Sequence, residues 1–185
     1  MKRMFVSLVF MGWLLTLSQS LSAQDETVAG KMFYTELGGP GVIMSVNWDA
    51  RFNPNTRLGL GYRIGVGFGI GSFDDKPVTD PYGYDYSYQF LRSYYSIPVG
   101  LNYVFGGPNT ASTFEIGAGA TFLTREVSLY NYEIDKPGHL IGFLSFMYRL
   151  TPVNSGLAFR VGFTPIIGTA GDLFPMLAIS LGYAF

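Results

Sequence analysis

After the first two dozen positions, apolar side chains alternate with polar or small ones along almost the whole chain. Val42, Met44, Val46, Trp48, Ala50 and Phe52 interleave with Ser45, Asn47, Asp49 and Arg51. Leu58, Leu60, Tyr62, Ile64, Val66, Phe68 and Ile70 interleave with Arg63 and five glycines. The same period returns over residues 95–105, 114–122, 157–164 and 177–185, and more weakly over 140–150. A period of two puts successive side chains on opposite faces of a β-strand. With a shorter stretch near residues 32–38, the pattern predicts eight strands, most of about 10 residues, the length a tilted strand needs to cross a bilayer.

The connections fall into two classes. Residues 53–56, 106–109 and 151–156 are short and built from Asn, Pro, Gly and Ser, which favour tight turns. Residues 72–91, 124–138 and 168–175 predict longer loops, and only 39–41 breaks the alternation. Short turns at one end and long loops at the other are the outer-membrane pattern, with the short turns periplasmic. An even strand count then places both termini in the periplasm. The outward residues nearest the short turns include Trp48, Phe52, Tyr62, Tyr103, Phe105, Phe114, Tyr148, Phe159, Tyr183 and Phe185. Mid-strand outward positions are aliphatic, among them Ile64, Val66, Val99, Leu101 and Ile116. Aromatic rings at headgroup depth with aliphatics between them are what a lipid-facing surface requires.

Composition agrees. Aromatic residues make up 17% and charged residues 14% of the 185, against about 25% charged in soluble domains. No apolar run long enough for a spanning helix follows the first 20 positions. The net charge of −1 speaks against a nucleic-acid-binding surface, and the absence of cysteine excludes disulfides and thiolate metal sites.

Residues 1–23 read as a cleaved signal peptide. Lys2 and Arg3 precede an uncharged apolar stretch over 4–17, and Ala23 offers a small residue at the cleavage point. Residues 24–185 are then the mature barrel domain, and loss of the two cations moves the net charge of −1 to −3.

The alternation turns Glu36, Asp49, Arg51, Arg63, Glu115, Arg149 and Arg160 inward. An eight-stranded barrel is just wide enough for side chains to fill it, and unpaired charge is costly there. These residues are therefore expected to form a bridged network that plugs the lumen. The inward glycines on the third and fifth strands are expected to leave room for arginines crossing from other strands. An ion path through the same residues is the competing reading.

Other candidate chemistry is sparse. His139 is the single histidine, placed near the outer rim with Glu126, Ser128, Glu133 and Asp135 close in sequence. These types could supply a general base and a nucleophile for a lipid- or peptide-acting enzyme, but no spacing among them is diagnostic. Gly65, Gly67, Gly69 and Gly71 recur at every second position, which is strand periodicity rather than a phosphate-binding loop. Asp74, Asp75, Asp80 and Asp85 lack EF-hand spacing. No catalytic, metal or cofactor site is assigned. Tyr82, Tyr84, Tyr86 and Tyr88 in the second long loop are contact candidates, because a tyrosine orders a large ring at low entropy cost.

Three runs carry a family resemblance. Residues 36–41 with 45–48, residues 96–103, and residues 159–165 resemble small outer-membrane β-barrel proteins. The architecture is similar to the eight-stranded OmpA/OmpX type, without a periplasmic peptidoglycan-binding domain. Gly182, Tyr183 and the terminal Phe185 resemble the C-terminal signal read by the barrel-assembly machinery. The resemblance implies an integral outer-membrane protein of a Gram-negative cell, partnered by outer-membrane lipid, and by periplasmic chaperones and the assembly machinery during export. It implies little about activity. The expected role is structural, or surface interaction through the long loops with an unknown ligand. A narrow channel and a rim enzyme using His139 are the alternatives.

Overall fold

The computed structural model describes residues 28–79, 81–127, 138–169 and 171–185, with the backbone alone for 71–79, 86–91 and 126–127. The signal-peptide assignment over 1–23 lies outside the described residues. Among the described residues ten strands run in chain order: β1 Lys31–Gly38, β2 Met44–Arg51, β3 Gly59–Thr79, β4 Asp85–Gly106, β5 Ser112–Val127, β6 Gly138–Leu150, β7 Gly156–Phe163, β8 Ile166–Ile167, β9 Leu173–Phe174 and β10 Leu177–Ala184.

Eight of them close into one antiparallel barrel. Each of β1 to β6 pairs with the next, and β7 pairs with β10. The seam closes where β10 meets β1, with Tyr183 opposite Phe33 and Leu181 opposite Thr35. The pairing continues one residue further, since Lys31 and Phe185 exchange backbone hydrogen bonds of 3.0 and 2.9 Å. Closure leaves the barrel wall without a free edge. The start of β1 and the end of β10 lie at the same end as the three short turns, and Ala29 N–H donates to the Val153 carbonyl there.

The polarity of the wall is inverted relative to a soluble protein. Leu157, Leu177 and Val66 face outward at 75%, 71% and 60% exposure, whereas Glu36, Asp49, Arg63, Glu115 and Arg160 are buried. Rings pair at the short-turn end: Trp48 with Phe185, Phe52 with Tyr62, and Phe114 with both Phe105 and Tyr148.

The long connections depart from the sequence expectation. Residues 168–175 do not form a free loop. Phe163 pairs with Leu177 in the wall, and three residues further on Ile166 pairs with Phe174, so β7–β10 and β8–β9 are one hairpin in one register. Pro165 and Pro175 interrupt it at facing positions. The adjacent pair carries the ladder, with Thr164 N–H donating to Met176 O at 2.7 Å. The two prolines then occupy the pair that makes no hydrogen bonds to each other in an antiparallel ladder, so neither lost N–H is missed between them. The turn closes through Gly168 N–H to Asp172 O at 2.8 Å.

Residues 72–91 are likewise mostly strand. β3 pairs with β2 as far as Phe68, while β3 and β4 stay paired as far as Thr79 and Asp85. Beyond Phe68 this ribbon extends about 35 Å at roughly 3.3 Å per residue. A register shift between Ser72 and Asp75 marks a bulge in it.

The connection at 39–41 is short for a structural reason. It is a single 3-10 turn, Gly39–Gly41, folded into the barrel with all three residues buried. Ser96 Oγ donates to Gly41 O and Thr121 Oγ1 to Pro40 O, so β4 and β5 hold it from across the lumen. Val42 therefore leaves the outward set the alternation gave it. It sits at φ 74°, a left-handed conformation that is unusual for a β-branched residue.

Candidate functional site

The lumen is the most elaborated part of the molecule. Period-two alternation on six strands delivers one charged residue or more from each: Glu36 on β1, Asp49 and Arg51 on β2, Arg63 on β3, Glu115 on β5, Arg149 on β6 and Arg160 on β7. To this set β4 and β10 supply Asn102 and Ser180. The structure brings all seven charged candidates into one connected set.

Glu115 is its hub. Its Oε1 lies 2.8 Å from Arg160 Nη2 and 3.2 Å from Arg63 Nη2, and its Oε2 lies 2.7 Å from Arg149 Nη1. Glu36 meets the same two arginines from the other side, at 3.4 Å from Arg160 and 3.7 Å from Arg63, and accepts from Ser180 Oγ at 2.8 Å. Asp49 forms the second centre, 2.6 Å from Arg51 and 3.4 Å from Arg149. Asn102 ties this centre from both sides, accepting from Arg51 at 2.6 Å and donating to Asp49 Oδ2. Two rings complete the packing: the Arg160 guanidinium lies 4.4 Å over Tyr34, and that of Arg63 lies 5.5 Å from Phe143. Arginine suits such a site because one planar fork serves several acceptors.

Glycine positions make room for these groups, though not as the sequence suggested. A Cβ on Gly61 would meet the Arg51 guanidinium, so β3 does accommodate an arginine. On β5, however, Gly119 lies under the Phe143 ring and Gly117 under Ser145. The fifth-strand glycines make space for an aromatic ring and a hydroxyl, not for crossing arginines.

The hairpin end of the lumen is apolar, which an inward set of charges did not suggest. Tyr94, Leu123, Ile141 and Ile166 are buried together, with Val42, Phe174 and Met176 packed against them. At the short-turn end, Arg57 spans the mouth. Its Nη1 donates to Thr151 O at 2.8 Å, and its Nη2 donates to Gly107 O at 3.0 Å and to Thr110 O. One side chain thus joins the β2–β3, β4–β5 and β6–β7 turns. Sequence reading missed Arg57, because it lies among turn residues where no alternation assigns a direction. It also missed Asn102, Ser180, Tyr34 and Phe143, whose inward parity was readable but whose partners were not.

The remaining candidates scatter. Tyr82 and Tyr84 sit at the ribbon tip with 87% and 73% of their surface exposed. The side chains of Tyr86 and Tyr88, and of Asp74 and Asp75, lie outside the described residues, as does Asp80. His139 is at the rim, its Nδ1 donating to Leu123 O across 3.0 Å. Ser128, Glu133, Asp135 and the side chain of Glu126 lie outside the described residues, so no His139 constellation is built from them. Among the described residues no group of three or more His, Cys, Asp or Glu is arranged to hold a metal. Gly182 packs against Tyr34 so closely that a Cβ would strike it, Tyr183 faces Phe33 across the seam, and the Phe185 ring meets Trp48 at 5.6 Å.

No family model matches the chain. No curated protein matches it either. Among solved structures, the chain is similar to the attachment invasion locus protein Ail of Yersinia pestis, solved with the heparin analogue sucrose octasulfate, with 11% identity, a TM-score of 0.38, and coverage of 83% of this chain and 94% of that one.

Proposed function

We propose that this protein is an integral outer-membrane barrel with a filled, non-conducting lumen, oriented with its short turns in the periplasm, and that it acts by contact at the cell surface through the β3–β4 ribbon. The observation that carries the reading is the contrast between the two ends of one hairpin. Inside the wall, β3 and β4 carry Arg63 and Asn102 into the ion network. Beyond Phe68 the same strands leave the wall as a ribbon whose tip presents Tyr82 and Tyr84. An apolar outer face with polar groups packed inside is the chemistry of a lipid-embedded barrel. The lumen side chains serve one another rather than a solute path, and the exposed tyrosines are suited to contact.

The absence of native cysteine makes the test direct. Tyr82→Cys should react with an impermeant maleimide on intact cells. Asn154→Cys, in a short turn, should react only after the outer membrane is permeabilised. Labelling of Asn154→Cys on intact cells, or recovery of the chain in the soluble fraction, would overturn the orientation or the membrane assignment. The contact role is read separately. Beads coated with refolded protein should be retained on a matrix-protein and glycan array, and Tyr82→Ser with Tyr84→Ser should abolish retention. Equal retention of both would remove the ribbon from the proposal.

A further inference from the structure

The charges in the lumen do not balance. Arg51, Arg63, Arg149 and Arg160 face Glu36, Asp49 and Glu115, and Arg57 adds a fifth buried guanidinium. Arg57 reaches three backbone carbonyls and, among the described residues, no carboxylate. Among the described residues, five buried guanidiniums face three buried carboxylates, an excess of two positive charges. A buried cation without a counter-charge is strongly unfavourable.

The excess is concentrated at the short-turn mouth. A cavity of ≈ 10 Å³ lies there, lined by Asp49, Arg51, Arg57, Thr113, Arg149 and Thr151 among others. Four buried polar atoms of its lining have no hydrogen-bond partner: Arg57 Nε, Arg149 Nε, Thr113 Oγ1 and Thr151 Oγ1. The two Nε groups can only donate, and the hydroxyls can donate by rotation. The carboxylate in the lining is already engaged, with Asp49 Oδ1 on Arg51 and Arg149 and Oδ2 on Asn102.

We propose that this cavity binds one monatomic monovalent anion of chloride size, held by Arg57, Arg149, Thr113 and Thr151. A space for roughly one small sphere excludes sulfate, phosphate and carboxylates. A water molecule would satisfy hydrogen bonds and leave the excess charge in place, whereas a halide answers both. The site is structural in this reading. It locks the mouth at which the three short turns converge.

Protein refolded separately in chloride, bromide and gluconate at equal ionic strength and pH provides the test. Gluconate is too large to enter. The apparent unfolding equilibrium constant in urea should fall in chloride and bromide by the factor one plus the ratio of halide concentration to its dissociation constant. Thr113→Val with Thr151→Val, which keeps both guanidiniums, should weaken that halide dependence severalfold. Crystals grown in bromide should show an anomalous peak within hydrogen-bond distance of Arg57 Nε. Equal stability in the three salts, or a water with no anomalous signal at that position, would overturn the proposal.

Discussion

Arg149 Nη1 stands 2.7 Å from Glu115 Oε2, and this contact joins the two halves of the lumen network. On one side are Glu36, Arg63 and Arg160, and on the other Asp49 and Arg51. Removing either partner therefore has unequal consequences. With Arg149→Gln, Glu115 keeps two arginines and Asp49 keeps Arg51, while the positive excess falls. With Glu115→Gln, three arginines lose their common acceptor and the excess grows. Breaking a buried pair so that charge is left uncompensated costs about 3–5 kcal/mol. Glu115→Gln should approach that loss and Arg149→Gln should fall well below it, as measured by urea midpoints of protein refolded in detergent micelles.

Two glycines should respond unequally to a larger side chain. At Gly119 a Cβ would collide with Phe143 and with the neighbouring backbone, whereas at Gly59 it would meet nothing within 4 Å. Gly119→Val should destabilise by about 3 kcal/mol or block folding, since overpacking commonly costs 1–3 kcal/mol and the β-carbon here also strikes backbone. Gly59→Ala should cost about 1–2 kcal/mol, because only its φ of 89° resists the change. The heat-dependent mobility shift of folded barrels on SDS gels separates the two.

The outer face should be sensitive to charge according to depth. Ile64 faces outward in mid-strand and Phe52 faces outward at the short-turn rim. Ile64→Arg should cost about 2–4 kcal/mol in lipid vesicles and Phe52→Arg about 0–1 kcal/mol for its charge. Equal costs at the two depths would argue against a bilayer around the barrel.

Planar-bilayer recordings of the refolded wild-type protein should show no stable open level. The charged network and the apolar cluster around Tyr94 and Ile166 lie in series inside the barrel. A large, steady conductance would refute a filled lumen.

The wall was legible from sequence because one rule, alternation, governs it. Asp49, Arg51 and Arg63 could be turned inward by parity alone, and so could Glu115, Arg149 and Arg160. What parity cannot show is the partner. The split of Asp49 from Glu115, with Arg149 between them, depends on strand stagger around the barrel. The hairpin end was misread for a different reason. Pro165 and Pro175 look like loop punctuation, and only their facing positions reveal a continuous ladder. Val42 continues the alternation in sequence, yet a left-handed backbone at the end of the inward turn sends it to the interior. Arg57 belongs to a turn, where no periodicity points a side chain anywhere.

The Glu36–Arg160 contact crosses the seam, joining residues 124 positions apart. Glu36 can reach Arg63 on β3 early, but Arg160, its second base, arrives only with the last part of the chain. Until β10 docks on β1, an open sheet would hold Glu36 and a row of guanidiniums against whatever medium fills the gap, and hydrocarbon is the worst choice. For a lipid-embedded barrel the order of events would follow: closure would precede, or accompany, full embedding in lipid. In the outer-membrane barrel proposed above, the ion cluster would act as a checkpoint in biogenesis, because a partly curled intermediate would stay wet and reversible while a sealed cylinder would become dry and locked.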